Sequence, residues 1–171
     1  LECAMTGERL DKDQLHNLSP KGFPILVRYD LGGVRAAMTK ETIASRAPNW
    51  WRYRELLPVK KTENVVSLGE VMTPLISLPR IARKLLGVMA DDECNNIILV
   101  KDESRLPTGS FKARGLALAV SMAKEFGVTK MAMPTNGNAG AALAAYASRA
   151  GNIETVVFCP DDTPQVNMDE I

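Results

Sequence analysis

Along the C-terminal half of the chain, short apolar runs alternate with longer stretches in which apolar residues recur every three or four positions. The runs predict strands over 97–101, 130–133 and 155–159, and the longer stretches predict helices over 110–126 and 138–150. In the first of these helices Leu116, Val120 and Ala123 keep the helical spacing, and Gly127 closes it. In the second, Ala141, Ala142, Ala144, Ala145 and Ala147 surround Leu143 and Tyr146, so small side chains let the helix lie close to a sheet. Strand, helix, strand, helix, strand is the order of an α/β fold with a parallel sheet and right-handed crossovers.

The earlier residues are patterned differently. Residues 1–30 read as a small β unit, with a turn at Thr6-Gly7 and a strand over 25–29. Gly32-Gly33 reads as a turn into the next helix, and 39–47 as a short helix ended by Pro48. Residues 49–58 bring Trp50 and Trp51 beside arginines, and read as a short amphipathic helix whose aromatics pack under the N-terminal sheet. Residues 67–75 are loop-like. Ser77 as cap, Pro79 as first helical residue, Ile81, Leu85 and Leu86 as the apolar stripe and Gly87 as stop mark one more helix. Asp91-Asp92-Glu93 reads as a solvated link. The chain thus divides into residues 1–95, a β unit with helices, and residues 96–171, a βαβαβ region.

Composition acts mainly by exclusion. A chain of 171 residues holds one core, or one small domain with part of another. Its 21 Lys and Arg against 20 Asp and Glu form no block of one sign, so neither nucleic acid nor an anionic membrane is expected as a partner. No apolar stretch reaches the roughly 20 residues of a membrane span, and no signal-peptide pattern opens the chain, so a cytoplasmic protein is expected. Cys3, Cys94 and Cys159 are odd in number and far apart, as reduced thiols are. Cys3 and His16 are the only soft ligands near the N-terminus, too few for a tetrahedral metal site, and no metal is expected.

The candidate chemistry sits in Leu106-Pro107-Thr108-Gly109-Ser110-Phe111-Lys112-Ala113-Arg114-Gly115, which follows a predicted strand and opens a predicted helix. Lys112 falls in the first turn, close to the positive end of the helix dipole. Positive potential and partial burial disfavour an ammonium there, and the uncharged amine is the form that condenses with carbonyls. A lysine on a helix is otherwise most often just exposed. Thr135, Asn136, Gly137, Asn138 and Ala139 lie at the start of the next helix, where unpaired N–H groups make an anion site suited to a carboxylate. Thr135 or Asn138 as a simple helix cap is compatible with that role. Both turns fall at the carboxyl ends of predicted strands, where ligands gather in open α/β sheets. Asp102 and Glu103 read as residues hydrogen-bonded to a neighbouring loop rather than as an acid or base. Gly137-x-x-Gly140, with Asp161 after the next strand, imitates a dinucleotide fingerprint, but Thr135 stands where its first glycine belongs.

These two runs, together with Ser67-Leu68-Gly69-Glu70, Thr73-Pro74-Leu75, Val100-Lys101-Asp102-Glu103 and Ala144-Ala145-Tyr146, resemble the fold-type II pyridoxal phosphate enzymes, most closely the threonine synthase family. The resemblance implies a three-layer αβα fold, tryptophan synthase β-like and here truncated. It implies a Schiff base between Lys112 and pyridoxal 5'-phosphate, with Phe111 and Asn138 also at the cofactor and Asn138 on its ring oxygen. Thr135, Asn136, Gly137 and Ala139 would hold the carboxylate of an amino-acid substrate. The activity implied is a lyase of amino-acid biosynthesis that converts O-phosphohomoserine and water to threonine and phosphate, in a homo-oligomer. Related enzymes often open with paired cysteines, but Thr6, Ser19 and Lys21 stand in such positions here. Ala113 replaces the aspartate that usually follows the lysine, and small residues there are familiar from threonine deaminases, so a deaminase-like or other β-eliminating enzyme stays open. A non-catalytic Rossmann-like domain that binds a nucleotide or a protein is the reading of another class. The family's glycine-rich phosphate cradle has no counterpart in this sequence, so an N-terminal fragment, inactive alone and self-associating through exposed apolar surface, is expected.

Overall fold

The computed structural model describes residues 1–87 and 97–171; Asp91-Asp92-Glu93 and Cys94 lie outside the described residues. At the N-terminus β1 (Glu2–Cys3) pairs antiparallel with β2 (Ile25–Leu26). The strand expected over 25–29 stops at Leu26, because its partner is only two residues long. Cys3 is buried and its Sγ donates to Ser19 Oγ at 3.2 Å, while that oxygen also accepts the Phe23 N–H at 3.1 Å. The Ser19 hydroxyl, and after it that of Thr6, lowers the Cys3 thiol to about 7.

Gly32-Gly33 lies inside α1 (Leu31–Ala37) rather than in a turn before it. Asp30 caps this helix by accepting the Gly33 N–H at 3.0 Å, and a Cβ on Gly33 would sit 2.7 Å from the other carboxylate oxygen. Glycine is there to admit the cap. α2 (Lys40–Ser45) starts at Thr39, whose hydroxyl accepts the Thr42 N–H. The tryptophan segment forms a 3₁₀ helix, Trp50–Leu56, and Trp51 packs on the main core rather than under the N-terminal sheet. Trp51 donates its indole N–H to Glu70 at 3.2 Å, while the Trp50 ring faces the Arg114 guanidinium at 5.3 Å. A buried indole nitrogen needs an acceptor, and Glu70 supplies it.

β3 (Leu75–Ser77), α3 (Pro79–Leu86) and β4 (Leu99–Lys101) come next. The strand expected over 97–101 does not enter the parallel sheet. It pairs antiparallel with β3, in the register Leu75 to Lys101, and Asp102 N to Pro74 O and Leu78 N to Ile98 O extend the pairing at both ends. Apolar spacing signals a strand without naming its partner, and the short β3 gave no spacing signal of its own.

α4 (Lys112–Glu125), β5 (Lys130–Pro134), α5 (Asn138–Ala150) and β6 (Glu154–Phe158) follow the predicted order, and β5 and β6 are parallel. A short helix, α6 (Gln165–Asp169), ends the chain. α4 and α5 pack on each other through Ala113, Ala117, Val120, Ala142, Leu143 and Tyr146, and Met131, Met133 and Val157 meet this core from the sheet. The other sheet face, with Ala132, Val156 and Phe158, is exposed. The architecture is mixed α/β, with helices and three small sheets; among the described residues the parallel pair carries helices on one face, where three layers were expected.

Candidate active site

Two turns carry the residues singled out by the sequence. The first runs from β4 to α4. Asp102 closes one 3₁₀ turn by accepting from Ser104 N and from the Arg105 guanidinium at 3.0 Å, and Pro107–Gly109 forms a second. Thr108 there adopts φ 61°, ψ 20°, a left-handed conformation that is rare for a β-branched residue, and its hydroxyl is buried with no hydrogen-bond partner among the described residues. Ser110 then accepts the Lys112 N–H at 3.3 Å, and α4 begins at Lys112. The Lys112 ammonium nitrogen lies 4.4 Å from the centroid of the exposed Phe111 ring, and the lysine is half-buried.

The second turn joins β5 to α5. Thr135 is held to β6 by its N–H to Phe158 O at 2.9 Å, and its hydroxyl accepts the Gly137 N–H at 3.3 Å. Asn138 and Ala139 are the first residues of α5, so their N–H groups have no helical partner. Asn167 of α6 donates to the Asn136 carbonyl at 3.2 Å. A cavity of about 470 Å³ opens at the carboxyl ends of β5 and β6, lined by Pro134, Thr135, Asn136, Phe158, Cys159 and Pro160. Thr135 and Asn136 therefore face it, whereas Phe111, Lys112 and Asn138 are not in its wall. Pro107–Gly109 packs against both α4 and α5, the helices that open at Lys112 and at Asn138.

Around these turns stands a polar framework of which sequence reasoning assigned only the Glu103 end. Glu70 has no solvent exposure and accepts from Tyr146 Oη at 2.5 Å, Ser67 Oγ at 2.6 Å, Leu68 N at 2.9 Å and Trp51 Nε1 at 3.2 Å. Burial opposes its ionisation most strongly, yet the hydrogen bonds, Ser67 and Tyr146 foremost, hold the carboxyl below its ordinary range. Burial, then the Glu70 carboxylate, pushes the Tyr146 phenol up. Glu103, read from the sequence as hydrogen-bonded, accepts both Arg114 Nε at 2.7 Å and Nη2 at 3.0 Å, and also the Thr73 hydroxyl. The Arg114 bond above all lowers Glu103 to about 2. Ser67-Leu68-Gly69-Glu70 was visible as a motif; its contact with Tyr146 had no signal in local spacing.

Among the described residues no group of three or more His, Cys, Asp or Glu is placed to hold a metal, and no helix is long and apolar enough to cross a membrane. Residues 66–171 match the family model described as pyridoxal-phosphate dependent enzyme. The chain is 33% identical over 159 residues to a protein named threonine synthase from Methanocaldococcus jannaschii, covering 93% of this chain and 37% of that one. A threonine synthase from Methanosarcina acetivorans is 35% identical over 161 residues, covering 94% and 36%. One from Synechocystis sp. is 42% identical over 109 residues, covering 64% and 26%. The chain thus spans little more than a third of the length of the first two relatives. The match begins just before the Glu70 loop and takes in both turns, and this chain belongs to the pyridoxal-phosphate dependent enzyme family.

Proposed function

We propose that this chain carries the lysine-bearing part of a threonine synthase-like enzyme, acting on O-phosphohomoserine and water to give threonine and phosphate. The observation that carries the reading is the placement of Lys112 as first residue of α4, half-buried against Phe111, in a turn that also packs on the helix opening at Asn138. The residues present suit pyridoxal phosphate: an amine for its aldehyde, an aromatic ring beside that amine, and a buried Thr108 hydroxyl awaiting an acceptor. When bound, the cofactor supplies an electron sink for the substrate α-carbon.

The chain's own residues then divide the work. The Lys112 amine would hold the aldehyde carbon of the cofactor, and its nitrogen is the group placed to take up and return protons. Asn138 would donate to the cofactor's ring oxygen. The N–H groups of the turn 135–139 orient the substrate carboxylate, aided by the dipole of α5. Such contacts align the α-carbon with the lysine nitrogen, and alignment accounts for a large share of enzymatic acceleration.

A threonine deaminase-like reaction is the second reading. It is favoured by Ala113, which has no solvent exposure and fills the contact between α4 and α5 where an aspartate would have to be buried. The protein at its natural full length, loaded with cofactor, should release inorganic phosphate from O-phosphohomoserine. Formation of 2-oxobutyrate from threonine without any phosphate release would refute the first reading and support the second. Borohydride reduction followed by peptide mapping should place the cofactor on Lys112, and a label elsewhere would overturn both.

A further inference from the structure

The loop 67–75 touches both helices whose first residues are Lys112 and Asn138. Its Glu70 accepts the Tyr146 hydroxyl of α5, and three positions on Thr73 donates to Glu103, which grips Arg114 in the first turn of α4. Arg114 Nη2 also donates to Thr73 Oγ1 at 3.3 Å, so the second tether is closed on itself. Glu70, Thr73 and Tyr146 are all buried. The direct contact between the helices combines alanines, Ala113, Ala117 and Ala142 among them, with Val120, Leu143 and Tyr146. Apolar burial is non-directional, whereas buried polar bonds with fixed geometry select one register.

We propose that the segment 67–75 is a clasp that sets the relative rotation of α4 and α5, and through them the offset between the Lys112 amine and the Asn138 turn. Glu70 and Tyr146 at one end, and Thr73, Glu103 and Arg114 at the other, are positioning residues. The catalytic consequence rests on the reading of Lys112 given above; the mechanical one does not.

The test uses two near-isosteric variants of the protein at its natural full length, Tyr146→Phe and Thr73→Val, one at each end of the clasp. Hydrogen exchange should quicken in the first two turns of both helices in either variant, including the helix whose own tether is intact. With cofactor bound, kcat should fall about 10- to 100-fold while KM changes less than about twofold, the pattern of misplaced reacting groups. Quickening confined to the helix that lost its bond, or unchanged exchange, overturns the clasp, as does an unaltered kcat in a parent enzyme that carries the Lys112 label. A parent without that label refutes the assignment of Lys112, and exchange alone then decides the clasp. If one variant fails to fold, the other decides.

Discussion

Gly140 lies so close to Thr135 that a Cβ built on it would sit 2.5 Å from Thr135 Cγ2, with Val157 Cγ1 at 2.9 Å and Ile171 Cδ1 at 3.0 Å. The start of α5 therefore rests directly on the end of β6 and on the threonine of the substrate-side turn. Gly140→Ala must push that turn away, and a destabilisation of about 1–3 kcal/mol is expected, the range for overpacking a fitted site. Gly115 in α4 is the contrast, since nothing lies within 4 Å of its added Cβ. Gly115→Ala should stabilise by roughly 0.5–1 kcal/mol through helix propensity alone. Urea unfolding of the two variants should give opposite signs, and equal signs would contradict the described packing.

Glu103 provides a pH signature. Its folded-state carboxyl titrates at about 2 against an ordinary value of 4.5, chiefly because of Arg114. A depressed carboxyl contributes stability above its unfolded value and loses it as the pH falls towards the folded one. The contribution is thus complete above pH 4.5 and disappears between there and pH 2. Glu55, bonded to Arg46, is lowered to about 2 as well, so it adds to the pH dependence expected in this window. The informative measurement is the difference between parent and Glu103→Gln. The variant should be less stable at neutral pH, and the gap should close on acidification through that window; a gap independent of pH would show that Glu103 is not ionised against Arg114.

Thr108 combines a left-handed backbone with a buried, unpartnered hydroxyl. Each feature is unfavourable, and their coincidence four residues before Lys112 marks a position held for something other than stability. Thr108→Val keeps the shape and removes the orphan hydroxyl, so it should raise the unfolding free energy by about 1–3 kcal/mol in the absence of cofactor. Cofactor affinity should drop in the same variant. Chemical denaturation and a cofactor titration check the two halves, and a variant that is less stable without cofactor would show the hydroxyl to be satisfied.

What the sequence revealed follows the reach of each interaction. The starts of α4 and α5 were legible because serine, glycine and the change of apolar period act within a turn of the residues they organise. Both turns carrying Phe111, Lys112 and the segment 135–139 were placed for the same reason. The pairing of β4 with β3 was not legible, since strand partners are chosen across the fold and the segment between them contains a whole helix. Trp51 and Glu70 were misread or left unassigned because their contacts are remote, the Glu70–Tyr146 bond spanning 76 positions. Gly32-Gly33 misled for a local reason: a glycine pair signals a turn, yet here it makes room for the Asp30 cap inside a helix. Non-local polar contacts thus account for most of what the pattern could not show.

Lys112 should separate function from stability. Its amine contacts the exposed face of Phe111 at 4.4 Å, and an exposed cation–π contact contributes only about 0.5–1 kcal/mol. Lys112→Ala also places the best helix former at the first position of α4, which offsets part of that loss. The unfolding free energy of the variant should therefore lie within about 0.5 kcal/mol of the parent, as for surface changes away from structural features. Reductive trapping of the cofactor should vanish altogether, because the neighbouring Lys101 amine is engaged by the Thr73 carbonyl at 3.1 Å and by Glu103 at 3.9 Å. Arg114, two residues after Lys112, is a guanidinium committed to Glu103 and cannot substitute as nucleophile. A variant that keeps its reducible label would move the reacting amine elsewhere in the chain. A variant that loses several kcal/mol would instead show Lys112 to be a structural residue.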